Sequence, residues 1–373
     1  MTSPLLSRPG AAEHQEETLV DAAGVAWHYG NPLNEQRAAD SHPIVVDRSH
    51  RRVIKVTGPD APGFLNNLLS QKLDSAATTA GPSGFTGQAL DLDIQGHILH
   101  AMDVTAVPTG AVSAVDAGAT DFYLDLPADL ATSLAEFLKK MKFWSEVSIS
   151  VTDLAVATVL GETTATAVRE ALPDHALVRD FPWKGRPRVD VLVDRAKLAT
   201  SVSALEAAGF TLAGLMAYTA ERVRALEPEQ AADLDGKSIP HEIPHWIGRG
   251  DNPGAVHLEK GCYRGQETVA RVENLGRSPR LLVMLHLDGS APELPGPGAE
   301  ITFNGRGVGR LGTVVHDCDY GPIALALVKR TALDRGELLI GDVAASVDPD
   351  SLPGDEGPKA GRAAVDKLRG RQA

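Results

Sequence analysis

Alternation of apolar and polar residues marks the first element with a firm pattern. RRVIKVTG, Arg51 to Gly58, has the period of two expected of a half-buried strand. The next stretch, PDAPGFLNNLLSQKL, changes to a helical period. It places Phe64, Leu65, Leu68 and Leu69 on one face behind Asp60, a side chain suited to an N-cap. HILHAMDVTAV and DFYLDLP read as strands, ADLATSLAEFLKKMKF as an amphipathic helix, and VSISVTD and AVATVLG as further strands. PRVDVLVD followed by AKLATSVSALEAAGF repeats the strand-then-helix step, and LMAYTAERVRALEPE adds a helix. The pattern predicts an α+β region with helices laid on antiparallel sheets.

Beyond Gly276 the texture changes. LLVMLHLDG, AEITFNGRGVGRLGTVVHD and PIALALVKR are short β-like runs separated by Gly and Pro, with no stretch of helical period. The expected division is a mobile N-terminal arm over 1–20, an α+β region over 21–276, an all-β unit over 277–349 and a mobile tail over 350–373. The tail is rich in Pro, Gly and charge.

Composition narrows the function. At 43% hydrophobic and 23% charged the chain has the make-up of an ordinary globular protein, and its net charge of -13 argues against general nucleic-acid or anionic-membrane binding. The N-terminal residues lack the apolar core of a signal peptide, and no run approaches the length of a membrane span, so the expected location is the cytoplasm. Two cysteines, Cys262 and Cys318, are too few for a disulfide framework or a four-cysteine metal site.

Two motifs invite readings that their contexts reject. PHEIPH carries the H-E-x-x-H spacing of zinc proteases in His241, Glu242 and His245. Pro244, between the histidines, breaks the helix that would set both imidazoles on one face. GVGRLG, Gly307 to Gly312, fits G-x-G-x-x-G, but the β-branched TVVHD follows it where a helix N-terminus would have to receive a phosphate. The first is expected to be an extended loop with a functional or structural Glu242, the second a glycine-rich β turn or bulge.

KGCYRGQETVAR, Lys260 to Arg271, is different. Cys262 lies between Lys260 and Arg264, with glycines at 261 and 265 and a helix opening at Gln266 and Glu267. Cations and helix N-termini favour a thiolate, the reactive form of cysteine, while a lone cysteine also commonly fills space in a core. Local chemistry leaves both readings open. Cys318, in VVHDCDY, has acidic neighbours that disfavour a thiolate, which makes packing its better reading. Arg249, Lys260, Arg264, Arg271, Arg277 and Arg280 give this segment a small positive surplus suited to an anionic small ligand.

The same residues carry a resemblance. KGCYRGQE is similar to the K-G-C-[FY]-x-G-Q-E signature of the YgfZ family of folate-binding proteins. VVDRSHRRVIKVTGPDAPGFL resembles a pattern that this family shares with the glycine-cleavage T-protein, an aminomethyltransferase, through Asp47, Ser49, Gly58, Asp60, Phe64 and Leu65. The likeness runs over roughly Val46 to Val347. It implies two intertwined ferredoxin-like domains and a C-terminal antiparallel β-barrel around a central opening that binds tetrahydrofolate. It also implies a folate-dependent role in making or maintaining iron-sulfur enzymes, with those client enzymes as partners and Cys262 as the reactive thiol in the turn Lys260, Gly261, Tyr263, Arg264, Gly265, Gln266 and Glu267. Asp47, Arg222, Glu242 and Arg271 are the expected folate contacts, and the basic segment the expected rim. The chain departs from the T-protein where that family has an acidic pair: QGHILHAMD places His100 and Ala101 there, which speaks against aminomethyl transfer. A folate-dependent one-carbon transferase of another kind is the alternative. A second departure lies in the R-x-E-A-G run, which reads Arg222, Val223, Arg224, Ala225, Leu226.

Overall fold

The computed structural model describes residues 2–14, 19–74, 84–108, 120–172 and 176–354. Along the chain run α1 (Pro32–Ala38), β1 (Ile44–Asp47), β2 (Arg52–Thr57), α2 (Ala61–Leu68), β3 (Phe85–Leu92), β4 (Ile98–Pro108), β5 (Thr120–Leu126), α3 (Ala128–Met141), β6 (Ser148–Val151) and β7 (Leu154–Leu160). Then follow α4 (Ala165–Glu170), β8 (Leu177–Asp180), β9 (Arg188–Asp194), α5 (Leu198–Ala207), β10 (Thr211–Ala213), α6 (Leu215–Arg224), α7 (Gln230–Asp233) and α8 (Gln266–Leu275). The last strands are β11 (Arg280–Leu287), β12 (Glu300–Phe303), β13 (Arg306–Asp317), β14 (Gly321–Lys329), β15 (Leu338–Ile340) and β16 (Val343–Val347).

The first sheet has the order β10-β1-β7-β9-β8 and the second β3-β4-β5-β2-β6. Because β1 belongs to one sheet, β2 to β6 to the other and β7 to β10 to the first again, the chain interlaces two α/β units. All pairings in these sheets are antiparallel except β1 with β10. Each sheet buries one face under helices: Val189, Val191 and Val193 of β9 pack with Val202 and Leu205 of α5, while Phe122 and Leu124 of β5 pack with Leu134 and Leu138 of α3. The last strands close into a barrel of order β11-β14-β13-β12-β15-β16, lined by Val283, Leu285, Leu311, Ala326 and Leu338. The GVGRLG run lies within β13, a strand with a register shift at Leu311 to Val314.

The sheets meet through polar faces. A small apolar contact of Val53, Val156 and Leu192 joins them. Around it Arg188 bonds Asp103 and Asp190, each at 2.7 Å, and Arg179 reaches Asp125 at 2.5 Å and Asp190 at 3.1 Å. Arg51 binds Asp125 at 3.0 Å, and Arg48 lies 3.8 Å from Asp190. Asp103 and Asp125 stand directly opposite each other across β4 and β5, a like-charge placement that costs energy unless cations intervene. Arg179 and Arg188, from the other sheet, supply them.

Several expectations need correction. Residues 2–14, read as part of a mobile arm, are docked: Leu5 is fully buried in the first sheet's core and the Ser3 hydroxyl donates to Asp47. At the other end, Ser351 is buried and Leu352 packs on the barrel core, so the ordered chain continues past 350. Residues 15–18 and the tail from 355 lie outside the described residues. Asp60 stands at the N-cap of α2 without capping it, because its carboxylate accepts the Glu146 N–H at 2.8 Å instead.

Candidate functional site

Two places concentrate chemistry, and the β3-β4 hairpin connects them. One is a cavity of about 70 Å³ between the sheets and α6, walled by Gln88, Ala101, Met102, Arg188, Tyr218 and Trp246 among others. The other is the turn carrying Cys262, and none of residues 260–267 lines the cavity.

Glycine and two long cations build the turn. The Lys260 ammonium donates to the carbonyls of Asn66 and Leu69, the latter at 2.6 Å, where α2 ends and its carbonyls lack helical partners. It also lies 4.6 Å over the Tyr263 ring. Burial pushes the Lys260 amine down to about 8. On the other side, Arg264 bonds Asp91 of β3 at 2.6 Å and stacks 4.6 Å over Phe137 of α3. Gln266 folds back, its side-chain oxygen accepting the Tyr263 N–H at 3.2 Å. Gly265 takes φ +83°, and a Cβ there would stand 2.6 Å from the Asp93 carbonyl oxygen in the hairpin turn. Held at both ends, the turn leaves Cys262 exposed. Gly265→Ala is expected to lower stability by about 2 kcal/mol, from the left-handed backbone plus the clash, and to slacken the turn. Thermal melting and the alkylation rate of Cys262 would check it, and an unchanged melt would show that the hairpin yields.

The expected rim does not form at the cavity. Arg280 is clamped by Asp235 at 2.5 Å and Glu242 at 2.7 Å, Arg249 reaches Glu273 at 2.5 Å, and Arg271 is exposed on α8. Glu242, tied to Arg280, is absent from the cavity wall, as is Asp47, which accepts from Ser3 and from the Ser49 N–H. Of the expected folate contacts only Arg222 lines the cavity, and its guanidinium is committed to Asp233 at 2.8 Å and Glu229 at 2.9 Å. The His-Glu-His run forms two short turns: His241 meets Glu273 at 3.1 Å and His245 meets Glu227 at 3.2 Å, so the histidines do not converge.

Sequence reasoning missed the cavity's real polar lining. Arg48, Arg51 and Arg188 face it from the inter-sheet network, and the Arg188 guanidinium packs 3.8 Å from the Phe181 ring while Arg48 sits 4.2 Å over Tyr218. Asp21 enters the wall: its N–H donates to Glu229 at 2.6 Å, and its Oδ2 lies 3.6 Å from His50. Asp21 Oδ2 and His50 Nδ1 are buried and have no hydrogen-bond partner among the described residues. Burial pushes the Glu229 carboxyl up to about 7 against the pull of Arg222, and raises Asp21 in the same sense. Burial, reinforced by Arg48 and Arg51, holds His50 down at about 3, leaving it neutral near pH 7. Glu227 goes the other way: burial would raise it, but hydrogen bonds from His245 and Gln88 outweigh that and keep it below its usual range.

A carboxyl that binds its proton more tightly when folded favours the native state less as it ionises. Between the ordinary carboxylate value of 4.5 and about 7 the native state holds more protons at Glu229 than the unfolded chain, so stability falls as pH rises through that window. Glu229→Gln, which keeps an acceptor for Arg222, is expected to flatten the decline in melting temperature from pH 5 to pH 8. An equally steep decline in the variant would assign the dependence elsewhere.

Ala101 lines the cavity, and Asp103 is taken up by Arg188. Leu226 adopts φ +59°, a left-handed backbone that favours glycine. Arg224 turns outward to Asp317 and, at 3.0 Å, to Asp319, fastening α6 to the barrel. Cys318 sits in that clasp, its thiol raised by burial and by the same two aspartates.

The architecture is that of the aminomethyltransferases. The chain superposes on the glycine cleavage system aminomethyltransferase T of Bartonella henselae with a TM-score of 0.73 at 20% identity, over 92% of this chain and 94% of that one. Residues 280–354 match the family described as CAF17, C-terminal beta-barrel domain. Among whole proteins the chain is similar to the human mitochondrial iron-sulfur cluster assembly factor IBA57, 29% identical over 74% of this chain and 75% of the human one. It is also similar to the Neurospora crassa mitochondrial IBA57 homolog, 27% identical over 66% of this chain, a match that spans 55% of the fungal protein's length. Both relatives carry mitochondrial names; among the described residues of this chain no helix is long and apolar enough to cross a membrane.

Proposed function

We propose that this protein supports the assembly or repair of iron-sulfur clusters in client enzymes, with a reduced folate in the inter-sheet cavity and Cys262 as its reactive thiol. The observation that carries the reading is the exposed Cys262 on a turn fastened to the end of α2 by Lys260 and to β3 by Arg264. A loop built only for packing has no need of rigid support under an exposed thiol. The names of the human and Neurospora relatives, cluster assembly factors, supply the direction. The cavity supports the folate half through its lining: Tyr218 and Trp246 stand in its wall for a flat ring, beside Arg48, Arg51 and Arg188 for an anionic guest. Tetrahydrofolate is the cofactor of choice, and the thiol, outside the cavity, faces the client.

A one-carbon transferase remains the second reading because of the shared fold. Ala101 weighs against it, since the cavity lacks a carboxylate at that place to act on an aminomethyl donor.

Calorimetric titration with tetrahydrofolate under anaerobic conditions tests the cavity. Saturable binding, displaced by a folate analogue and lost in Ala101→Trp, whose indole would fill the space, is the expected result. Absence of binding in the parent protein would sink the folate half, and turnover of methylamine donors would favour the transferase.

A further inference from the structure

Asp91 and His100 face each other as cross-strand partners on β3 and β4. His100 Nδ1 lies 2.9 Å from Asp91 Oδ2, and His100 Nε2 lies 2.8 Å from Ser133 Oγ on α3. Asp91 is fully buried and His100 nearly so, while Ser133 is exposed. An ionised carboxylate only accepts, so in the neutral imidazole the proton resides on Nδ1 and the Nε2 lone pair faces the hydroxyl. That is the order of groups that turns a serine into a nucleophile: acid to orient the ring, ring as base, hydroxyl at the surface. The Leu130 carbonyl, 2.9 Å from the same Oγ, competes for the hydroxyl proton, and the helix holds Ser133 within reach of both acceptors.

A cation stands beside the group. Arg264 bonds the other oxygen of Asp91 and lies over Phe137, one helical turn after Ser133 on the same face of α3. Its Nε is buried and has no hydrogen-bond partner among the described residues, although the guanidinium as a whole is partly exposed. The partly exposed guanidinium brings positive charge beside the group where an oxyanion would develop.

We propose that Ser133, His100 and Asp91 form a second reactive site that accepts acyl groups from small activated esters and thioesters. Ser133 Oγ bonds to the carbonyl carbon as its proton passes to His100 Nε2, and the carbonyl electron pair moves onto oxygen. When that pair returns, the bond to the leaving alkoxide or thiolate breaks and His100 gives it the proton. Water then repeats the sequence on the acyl-serine, releasing the carboxylic acid and restoring the hydroxyl. Asp91 is a positioning residue, since it touches only the ring and Arg264. The site is independent of the folate reading, for its side chains lie outside the cavity wall.

Intact, full-length protein treated with a small alkyl fluorophosphonate tests it. Attack by Ser133 Oγ displaces fluoride, and peptide mapping locates the adduct. The expected result is one adduct at Ser133, none in Ser133→Ala, and labelling at least ~100-fold slower in His100→Gln. Ser133→Ala alters only an exposed side chain and should melt like the parent, so loss of the adduct there cannot be ascribed to unfolding. No adduct in the parent, an adduct at another residue, or an unchanged rate in His100→Gln would each overturn the proposal.

Discussion

Asp190→Ala is expected to lower the free energy of unfolding by about 3–5 kcal/mol, the largest stability effect of any single exchange considered. The carboxylate takes hydrogen bonds from Arg188 at 2.7 Å, from Arg179 at 3.1 Å and from Thr158 at 2.7 Å, and lies near Arg48, all of them buried. Removing it leaves guanidinium groups in the interior with one acid fewer, and each retains its desolvation cost. Urea denaturation of the parent and variant would show a large fall in midpoint with little change in slope. A loss below about 1 kcal/mol would mean that water already screens the seam. The pH behaviour has a definite sign: burial would raise the Asp190 carboxyl, but Arg188, Arg179 and Arg48 outweigh it and hold it far below 3.8. Its stabilising contribution is therefore full above that ordinary value and is lost only as the solution becomes strongly acid.

Cys262→Ser is expected to do the reverse, removing function without touching stability. The side chain is exposed, and the turn is held by Lys260, Arg264 and Gly265, so the melting curve should match the parent's within about 0.5 kcal/mol. Cells lacking the protein and carrying this variant should fail to recover their iron-sulfur enzyme activities. Full recovery would overturn the role given to the thiol. In the parent, a chromogenic disulfide reagent should titrate Cys262 ahead of Cys318, whose burial and aspartate neighbours disfavour its thiolate.

The elements were largely legible in the chain, because helix and strand periods depend on neighbours in sequence. RVIKVT, the α3 helix and the barrel runs stand where the pattern put them. Which faces meet was not legible. In RVDVLVD the alternation places Arg188 and Asp190 on the face that usually looks to water, and the structure presses that face against the aspartates of another sheet. Only tertiary pairing decides between those outcomes. For the same reason the basic segment after Arg249 looked like a ligand rim, whereas Arg249, Arg264 and Arg280 are taken up by Glu273 within the segment and by Asp91 and Asp235 outside it. The N-terminal arm misled through composition: polar on average, it nevertheless sends Leu5 into a core. The cysteine turn was readable as a motif, but its exposure and its separation from the cavity depend on how the hairpin places it.

The two cysteines also amount to a built-in molecular ruler. Cys262 moves with the second sheet and the α2 helix packed on it, since Arg264 binds β3 and Lys260 the end of α2. Cys318 is fastened elsewhere: its carbonyl accepts from Arg37 at 2.7 Å, its N–H donates to Gln36 at 2.9 Å, and the adjacent acids hold Arg224. Spin labels at these native positions would therefore report the distance between two anchored bodies, with little contribution from loop wandering. A narrow distribution that shifts when the cavity is filled would register a rigid rotation of one sheet against the barrel and helices. An unshifted one would describe a scaffold that receives its guest without changing shape.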